Sequence, residues 1–454
     1  MKASRILTSA MLVLAGAAGS AIFWPKPGNA ASERQNPYFL LEQLGRALVL
    51  VENEYVDPVD RERLIEGAIK GMVAELDPHS SYLPAEDYAI FQGDTEGKFG
   101  GIGVEVDFAD EYVTVIAPIE GSPAERAGIR PGDRIFAIDN VGVRGKSSAD
   151  LVRMMRGDPG TKVLLTIRRD GLDKYLYFSL SRQVITVASI ASKLLADGVG
   201  YLKVKTFQSG THSEFLDQLA ELKKKNGGNL AGVVLDMRNN PGGLVNEANA
   251  IADEFLSRGV IFTTRRRGTI VDEVRADGGG ALRRGPVVVL VNEYSASAAE
   301  LVAGALQDNR RAPIVGAPTF GKGSVQTIIE FPGGAGLRLT TLRYYTPSGR
   351  AIQAQGVKPD VLIGGTGFSI REENLEGHLP AIEGKTPITV VPPTDLPDAG
   401  ATNAADAGAS PEADLIKSRE VPANPEQGDD EALKVGFQIV TGRYGKKVTA
   451  PSKK

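Results

Sequence analysis

Apolar positions change their spacing several times along the chain, and each change marks an element or a boundary. Ile6 to Phe23 is one apolar run behind Lys2 and Arg5. From Leu40 the spacing becomes helical: Leu40, Leu44, Leu48 and Val51 fall on one stripe. Tyr55-Val56-Asp57-Pro58 interrupts it, and Leu64, Ala68, Met72 and Leu76 form a second stripe that Pro78 stops. Past residue 97 the period shortens to that of strands: "GVEV", "YVTVIAP", "TKVLLTI" and "KYLYFSL", separated by Gly and Pro turns around one helix, "SADLVRMMRG". From 185 strands and helices alternate. "LAGVVLDM" and "PVVVLVN" are continuous apolar runs, the signature of strands buried on both faces of a layered sheet. Residues 385–428, rich in Pro, Ala, Asp and Thr, show no period and too little apolar surface to offset chain entropy. Leu433, Phe437 and Val440 then return to helical spacing.

These shifts predict an α+β multidomain chain. Residues 1–31 read as an export signal with small residues before a cleavage point near Ala30; the apolar run is also long enough to remain as a membrane anchor. A helical arm follows over 32–96, read as support rather than chemistry. A strand-rich module occupies 97–184, and an α/β layered core 185–367. A largely disordered linker takes 368–428, and a C-terminal helix and tail 429–454. The apolar stripe of that last helix needs a partner surface. The reading prefers a second subunit to its own core, hence a homo-oligomer, most simply a dimer.

Composition narrows the chemistry. There is no Cys among 454 residues, so disulfides, thiolate metal sites and a cysteine nucleophile are excluded. His79, His212 and His378 are the only histidines. A net charge of −4 offers no general attraction to nucleic acid. The runs Arg265-Arg266-Arg267 and Lys223-Lys224-Lys225 read as solvated surface.

Four segments carry candidate chemistry. Ser297 stands where a buried strand meets a helix, where free N–H groups favour an oxyanion; with Glu300 it also fits an S-x-x-E helix cap. "GAPTFGKGSVQ" matches the G-x4-G-K of a phosphate loop through Gly316, Gly321 and Lys322. Gly323 replaces the Mg²⁺-binding hydroxyl, Pro318 removes an N–H, and "SVQTIIEF" alternates like a strand where a helix is required. Lys322 as a general base needs its pKa lowered by burial. Gln326, four residues on, shares its face. In "DMRNNPGGL" the N–H groups of Gly242 and Gly243 are free to meet an oxyanion, or simply form a strand–helix turn.

Together these segments resemble the carboxy-terminal processing proteases, the tail-specific Ser/Lys endopeptidases. "LDPHSSYL", "FGGIGVEV", "GSPAERAGIRPGDRI", "LDMRNNPGGL", "SASAAE" and "TFGKGSVQ" occur in the family's order, and Ser297 and Lys322 are 25 residues apart. The resemblance implies a crotonase/Clp-protease-like core, with Ser297 rather than Ser295 as nucleophile, Lys322 as base and Gln326 orienting it. It implies Ala298 and Gly242 or Gly243 as oxyanion donors. It makes 97–184 a PDZ domain whose Gly101, Ile102 and Gly103 N–H groups hold a C-terminal carboxylate. Ala299 replaces a common Ser. The implied activity is that of an exported serine-type endopeptidase, most simply periplasmic, acting on proteins or peptides with free C-termini and needing no metal or cofactor. The competing readings are a PDZ-type scaffold on an inactive protease fold, and a Ser-His-Asp protease using His79 or His212.

Overall fold

A computed structural model of the chain describes residues 37–108, 112–364, 371–382 and 421–445. The export signal read at 1–31, most of the linker and the last residues of the tail lie outside the described residues. No helix among the described residues is long and apolar enough to cross a membrane.

The chain divides into two units, residues 1–72 and 73–454. The first holds α1 (Pro37–Glu54) and most of α2 (Arg61–Ala74). Arg61 joins them by donating to both oxygens of Glu52, at 2.5 and 2.8 Å. Leu40, Leu44 and Val51 of the α1 stripe are exposed.

The second unit opens with a departure from the sequence reading. "LDPHSSYLP" does not end a supporting arm. Its Ser81–Leu83 form β1, which joins a sheet of the α/β core, and Ala85–Glu96 form α3. Pro78 stops the helix, and the Asp77 carboxylate then captures the N–H groups of His79 and Ser80, at 2.9 and 3.0 Å. That turn redirects the chain in a way helical periodicity cannot register.

The strand-rich module follows. β2 (Lys98–Gly101) leads in and β9 (Gln183–Thr186) leads out, paired antiparallel. Between them β3 (Val104–Phe108), β4 (Val113–Pro118), β5 (Arg134–Ile138), β7 (Lys162–Arg168) and β8 (Leu176–Ser181) form a sheet in that order, with β6 (Val141–Gly142) beside β5. Alternation does the sorting: Val163, Leu165 and Ile167 of β7 are buried while their neighbours reach outward. Ser122 and Ser147 cap α4 (Pro123–Arg126) and α5 (Ser148–Met155), each accepting a backbone N–H at 3.2 Å.

The core has two sheets. β10 (Ile190–Leu194), β11 (Val199–Val204), β12 (Gly232–Asp236), β15 (Val287–Val291), β16 (Ile314–Gly316) and β19 (Val361–Leu362) make the first, parallel except for β10. Every residue of β12 and β15 is buried, as their unbroken apolar runs require. Val233, Leu235 and Val289 face α6 (Thr211–Lys225), α7 (Val245–Phe255) and α8 (Ala298–Asp308). The second sheet is antiparallel: β1, β18 (Gly336–Tyr345), β13 (Val260–Arg266) and β14 (Thr269–Arg275), with β17 (Ser324–Glu330) also on β18.

The other face of the first sheet corrects the reading of the tail. There α9 (Glu431–Val440) lays Leu433, Phe437 and Val440 against Val234, Val288 and Leu290 of its own chain. Complete burial of three such side chains is worth of order 5 kcal/mol. The helix thus finds its partner surface at home, and its stripe is not available to a second subunit. Asp430 caps it, accepting the Leu433 N–H at 3.0 Å, and also accepts from Arg238 at 2.8 Å.

Candidate active site

Three loops at the ends of β12, β15 and β16 meet around a cavity of about 360 Å³. Ser297, Lys322, Gln326 and Gly243 line it, with Arg338 of β18 and Asp94 of α3.

Ser297 is the N-cap of α8, with φ 54° and ψ −115°. A non-glycine residue held there costs of order 1–3 kcal/mol and persists only where its surroundings dictate it. Ser297 is half-buried and open to the cavity. Ser295 is not: it is fully buried, donating to the Met237 carbonyl at 2.9 Å and accepting the Asn292 N–H at 3.0 Å.

Below Ser297 lies the "NNPGG" turn. Gly242 has φ 104°, and a Cβ there would sit 2.8 Å from the Ser297 Cβ. Its N–H is already given to the Asn240 side-chain oxygen at 2.8 Å. Gly243 bridges Phe207 through its neighbours: Phe207 donates to the Gly242 carbonyl, and Leu244 to the Phe207 carbonyl. Among the described residues no hydrogen-bond acceptor takes the N–H of Gly243 or of Ala298.

Lys322 follows β16 in a loop that runs directly into β17, so the phosphate-loop alternative fails for want of its helix. Burial holds the Lys322 ammonium below the usual lysine range, and the Arg338 cation pushes the same way; Glu372, Glu300 and Asp77 oppose them. Gln326 does not stand alone with the lysine. Its amide nitrogen donates to Ser324 Oγ at 3.0 Å and Thr340 Oγ1 at 3.2 Å.

Glu300 ties the loops together, a role beyond the helix cap its spacing suggests. Its carboxylate is wholly buried. One oxygen accepts the N–H groups of Ser297 and Lys322, both at 2.8 Å. The other accepts Thr319 Oγ1 at 2.5 Å and the Gly321 N–H at 2.7 Å. Desolvation pushes its pKa up to about 7, against the pull of those four donors.

Two further groups are not among the candidate site residues of the sequence reading: Asp77 lies in "LDPHSSYL", which is given no chemical role there, and Glu372 lies in the stretch read as linker. Asp77 accepts from Thr340 Oγ1 at 3.1 Å, and so fixes the partner of Gln326. Glu372 is fully buried and accepts from Gln353 at 2.7 Å, with His79 Nε2 at 2.7 Å from its other oxygen. Burial opposes its charge, but the His79 and Gln353 bonds hold its carboxyl below the usual range. Neither His79 nor His212 lines the cavity; His212, at the start of α6, has its Nε2 2.8 Å from Glu254 of α7.

In the strand-rich module, Gly101 ends β2 opposite Gln183, and Ile102 is buried in the module's core. Gly103, at φ 74°, has no room for a Cβ, which would fall 2.3 Å from the Ser122 Cβ. The Ile102 and Gly103 carbonyls are taken by the N–H groups of Ala124 and Ile119, at 3.0 and 2.9 Å. Their own N–H groups meet no acceptor among the described residues. β3 is one of the sheet's edge strands. Arg153 of α5 reaches Asp87 of α3 at 2.9 Å, and Arg156, just past the end of α5, reaches Asp94 at 2.6 Å.

Comparison with known proteins places this geometry. The profile of peptidase family S41 matches residues 198–363, that of a PDZ domain 114–169, and that of the activating protease CtpB N-terminal domain 25–87. A carboxy-terminal-processing protease of Bartonella bacilliformis is 41% identical over 358 residues, covering 77% of this chain and 82% of that protein. The carboxy-terminal processing protease CtpA of Bacillus subtilis is 34% identical over 322 residues, 70% of this chain and 68% of its own. Among solved structures, a photosystem II D1 C-terminal processing protease is 33% identical and covers 70% of this chain and 86% of its own, with a TM-score of 0.45. The chain therefore belongs to the carboxy-terminal processing proteases, PDZ-bearing serine-type enzymes of peptidase family S41.

Proposed function

We propose that the chain is an exported endopeptidase that works through a Ser297–Lys322 dyad and cuts proteins near their C-termini. One observation carries this reading. A strained, half-exposed serine and a buried lysine with a depressed pKa share one cavity, and a single carboxylate, Glu300, holds the backbone of both. The neutral Lys322 amine takes the Ser297 hydroxyl proton as Oγ attacks the scissile carbonyl. The oxyanion is met by the N–H groups of Ala298 and Gly243, since that of Gly242 is occupied. The lysine then returns the proton to the leaving amine, and water hydrolyses the acyl-serine by the same base. Arg338 supports the neutral amine by its charge, and Gln326 shapes the wall beside it.

The substrate's end is held in the PDZ domain, its carboxylate on the free N–H groups of Ile102 and Gly103, its backbone added along the edge strand β3. Export to the periplasm rests on the segment at 1–31. A homo-oligomer now rests on the exposed stripe of α1 rather than on the tail.

The test is hydrolysis of a reporter protein with an apolar C-terminal tail. Ser297→Ala and Lys322→Arg should each abolish it, because Arg cannot give up its proton at usable pH. Wild-type kcat/KM should rise with pH through a lysine pKa below 10.5. Full activity in Lys322→Arg overturns the dyad.

A further inference from the structure

The run Arg265-Arg266-Arg267 does not lie wholly in solvent, as its sequence suggests. Arg265 is only 8% exposed. It sits on β13 directly opposite Arg343 of β18, and its guanidinium stacks on Tyr345, 4.4 Å from the ring centre. Two like charges facing each other across a strand pair repel. Here both lie at a cavity of about 350 Å³ that Arg266 and Arg267 also line, with Ile382 as an apolar wall.

No acidic group among the described residues balances this charge. Among the described residues no carboxylate stands within ion-pairing distance of any of the four guanidinium groups. On the adjoining strand β14, Glu273 is bound to Arg275 at 2.7 Å. The Nε atoms of both Arg265 and Arg343 are buried without a hydrogen-bond partner. Buried polar groups are almost always satisfied, and exceptions call for a missing partner. Two orphaned donors on adjacent arginines, in one small cavity, define an acceptor by its chemistry: compact, rich in oxygen and multiply charged.

We propose that this cavity binds a phosphoryl oxyanion, either a free phosphate compound or the headgroup of an anionic lipid. Arginine's planar fork matches phosphate oxygens two at a time, and such a group brings about −1.5 to −2 charges into a space where a lone carboxylate brings one. The site is separate from the proteolytic cavity and does not depend on the Ser297–Lys322 reading.

The full chain, carrying Ser297→Ala to prevent self-digestion, is titrated with inorganic phosphate and pyrophosphate against chloride at matched ionic strength. Binding is read by calorimetry and by the shift in Tm. Pyrophosphate should bind and raise Tm, and the pair Arg265→Gln, Arg343→Gln should weaken binding at least tenfold. Should that pair fail to fold, the exposed pair Arg266→Gln, Arg267→Gln should still fold and weaken binding threefold or more. Co-flotation with phosphatidylcholine vesicles, with and without phosphatidic acid, separates the two sources. Attachment only to the acidic vesicles, lost in the variants, assigns a lipid headgroup. The proposal is overturned if neither phosphate compound nor acidic vesicle binds, if the variants bind as well as their parent, or if a hexa-aspartate peptide binds more tightly than pyrophosphate.

Discussion

Glu300→Gln keeps the shape of the side chain that joins the two catalytic loops and removes its charge. In the parent, four donors share two carboxylate oxygens. An amide offers one oxygen and one NH2, so two donors lose their acceptor. The Thr319 hydroxyl can rotate and accept instead; a backbone N–H cannot. The better placement therefore sets the NH2 toward Thr319 and Gly321 and orphans the Gly321 N–H, at about 1–3 kcal/mol. Against this, the parent bears the cost of a buried charge. A pKa of about 7, compared with an ordinary 4.5, corresponds to about 3 kcal/mol at ~1.4 kcal/mol per unit. The folded-state value is the higher one. This group's contribution is therefore fully present below about pH 4.5 and is lost as pH rises through 7. Gln has no such dependence. At pH 8 the two proteins should lie within about 2 kcal/mol of each other, and by pH 4.5 the parent should have gained about 3 kcal/mol on the variant. Urea unfolding by circular dichroism in the Ser297→Ala background, repeated from pH 4.5 to 8, measures that difference. In the Ser297 protein, Glu300→Gln should lower kcat by ~100-fold or more, since loop misplacement on the order of 1 Å costs that much. A stability difference that is flat with pH, together with turnover within threefold of wild type, would refute the role given to Glu300.

Ser295→Ala should leave turnover largely intact but lower stability by about 1–3 kcal/mol, because the Asn292 N–H loses its buried acceptor; denaturant midpoints against Ser297→Ala distinguish the two serines. Deleting 429–454 should expose Val234, Val288 and Leu290, lower Tm and cause aggregation, rather than convert a dimer into folded monomers; light scattering and thermal melts decide. Amidating a substrate's C-terminus should raise its KM by tenfold or more while sparing internal cleavage of an unstructured chain, and equal KM values would remove the carboxylate from recognition.

The layered core was legible because β12 and β15 are unbroken apolar runs. Ser297 and Lys322 stood out only through the resemblance of "SASAAE" and "FGKG" to a known family, since each segment alone also reads as a helix cap or a surface turn; the structure brings both residues to one cavity. Other features escaped because they depend on contacts between distant segments. Glu300 matches a local cap, and nothing local reveals that its carboxylate also holds Thr319, Gly321 and Lys322. Glu372 sits in a stretch without periodicity, where one buried carboxylate leaves no pattern. Asp77 is an ordinary helix-ending residue until β18 brings Thr340 to it. The tail stripe announces that α9 needs a surface, but an apolar stripe carries no address. Which glycine of "NNPGG" keeps a free N–H is set by the Asn240 side chain, a choice of rotamer rather than of composition.

The pairing of β2 with β9 has a consequence for how such a protein can arise and move. Strands paired in a ladder lie ~4.8 Å apart. The chain therefore enters and leaves the PDZ domain at nearly the same point, between α3 and β10. A domain whose ends adjoin can be grafted into a host, or cut out of it, without stretching the host's backbone. The catalytic fold need only supply a gap one strand-spacing wide. The same neck concentrates both chain crossings in one place, so any reorientation of the domain must also break the Arg153–Asp87 and Arg156–Asp94 pairs that tie it to α3.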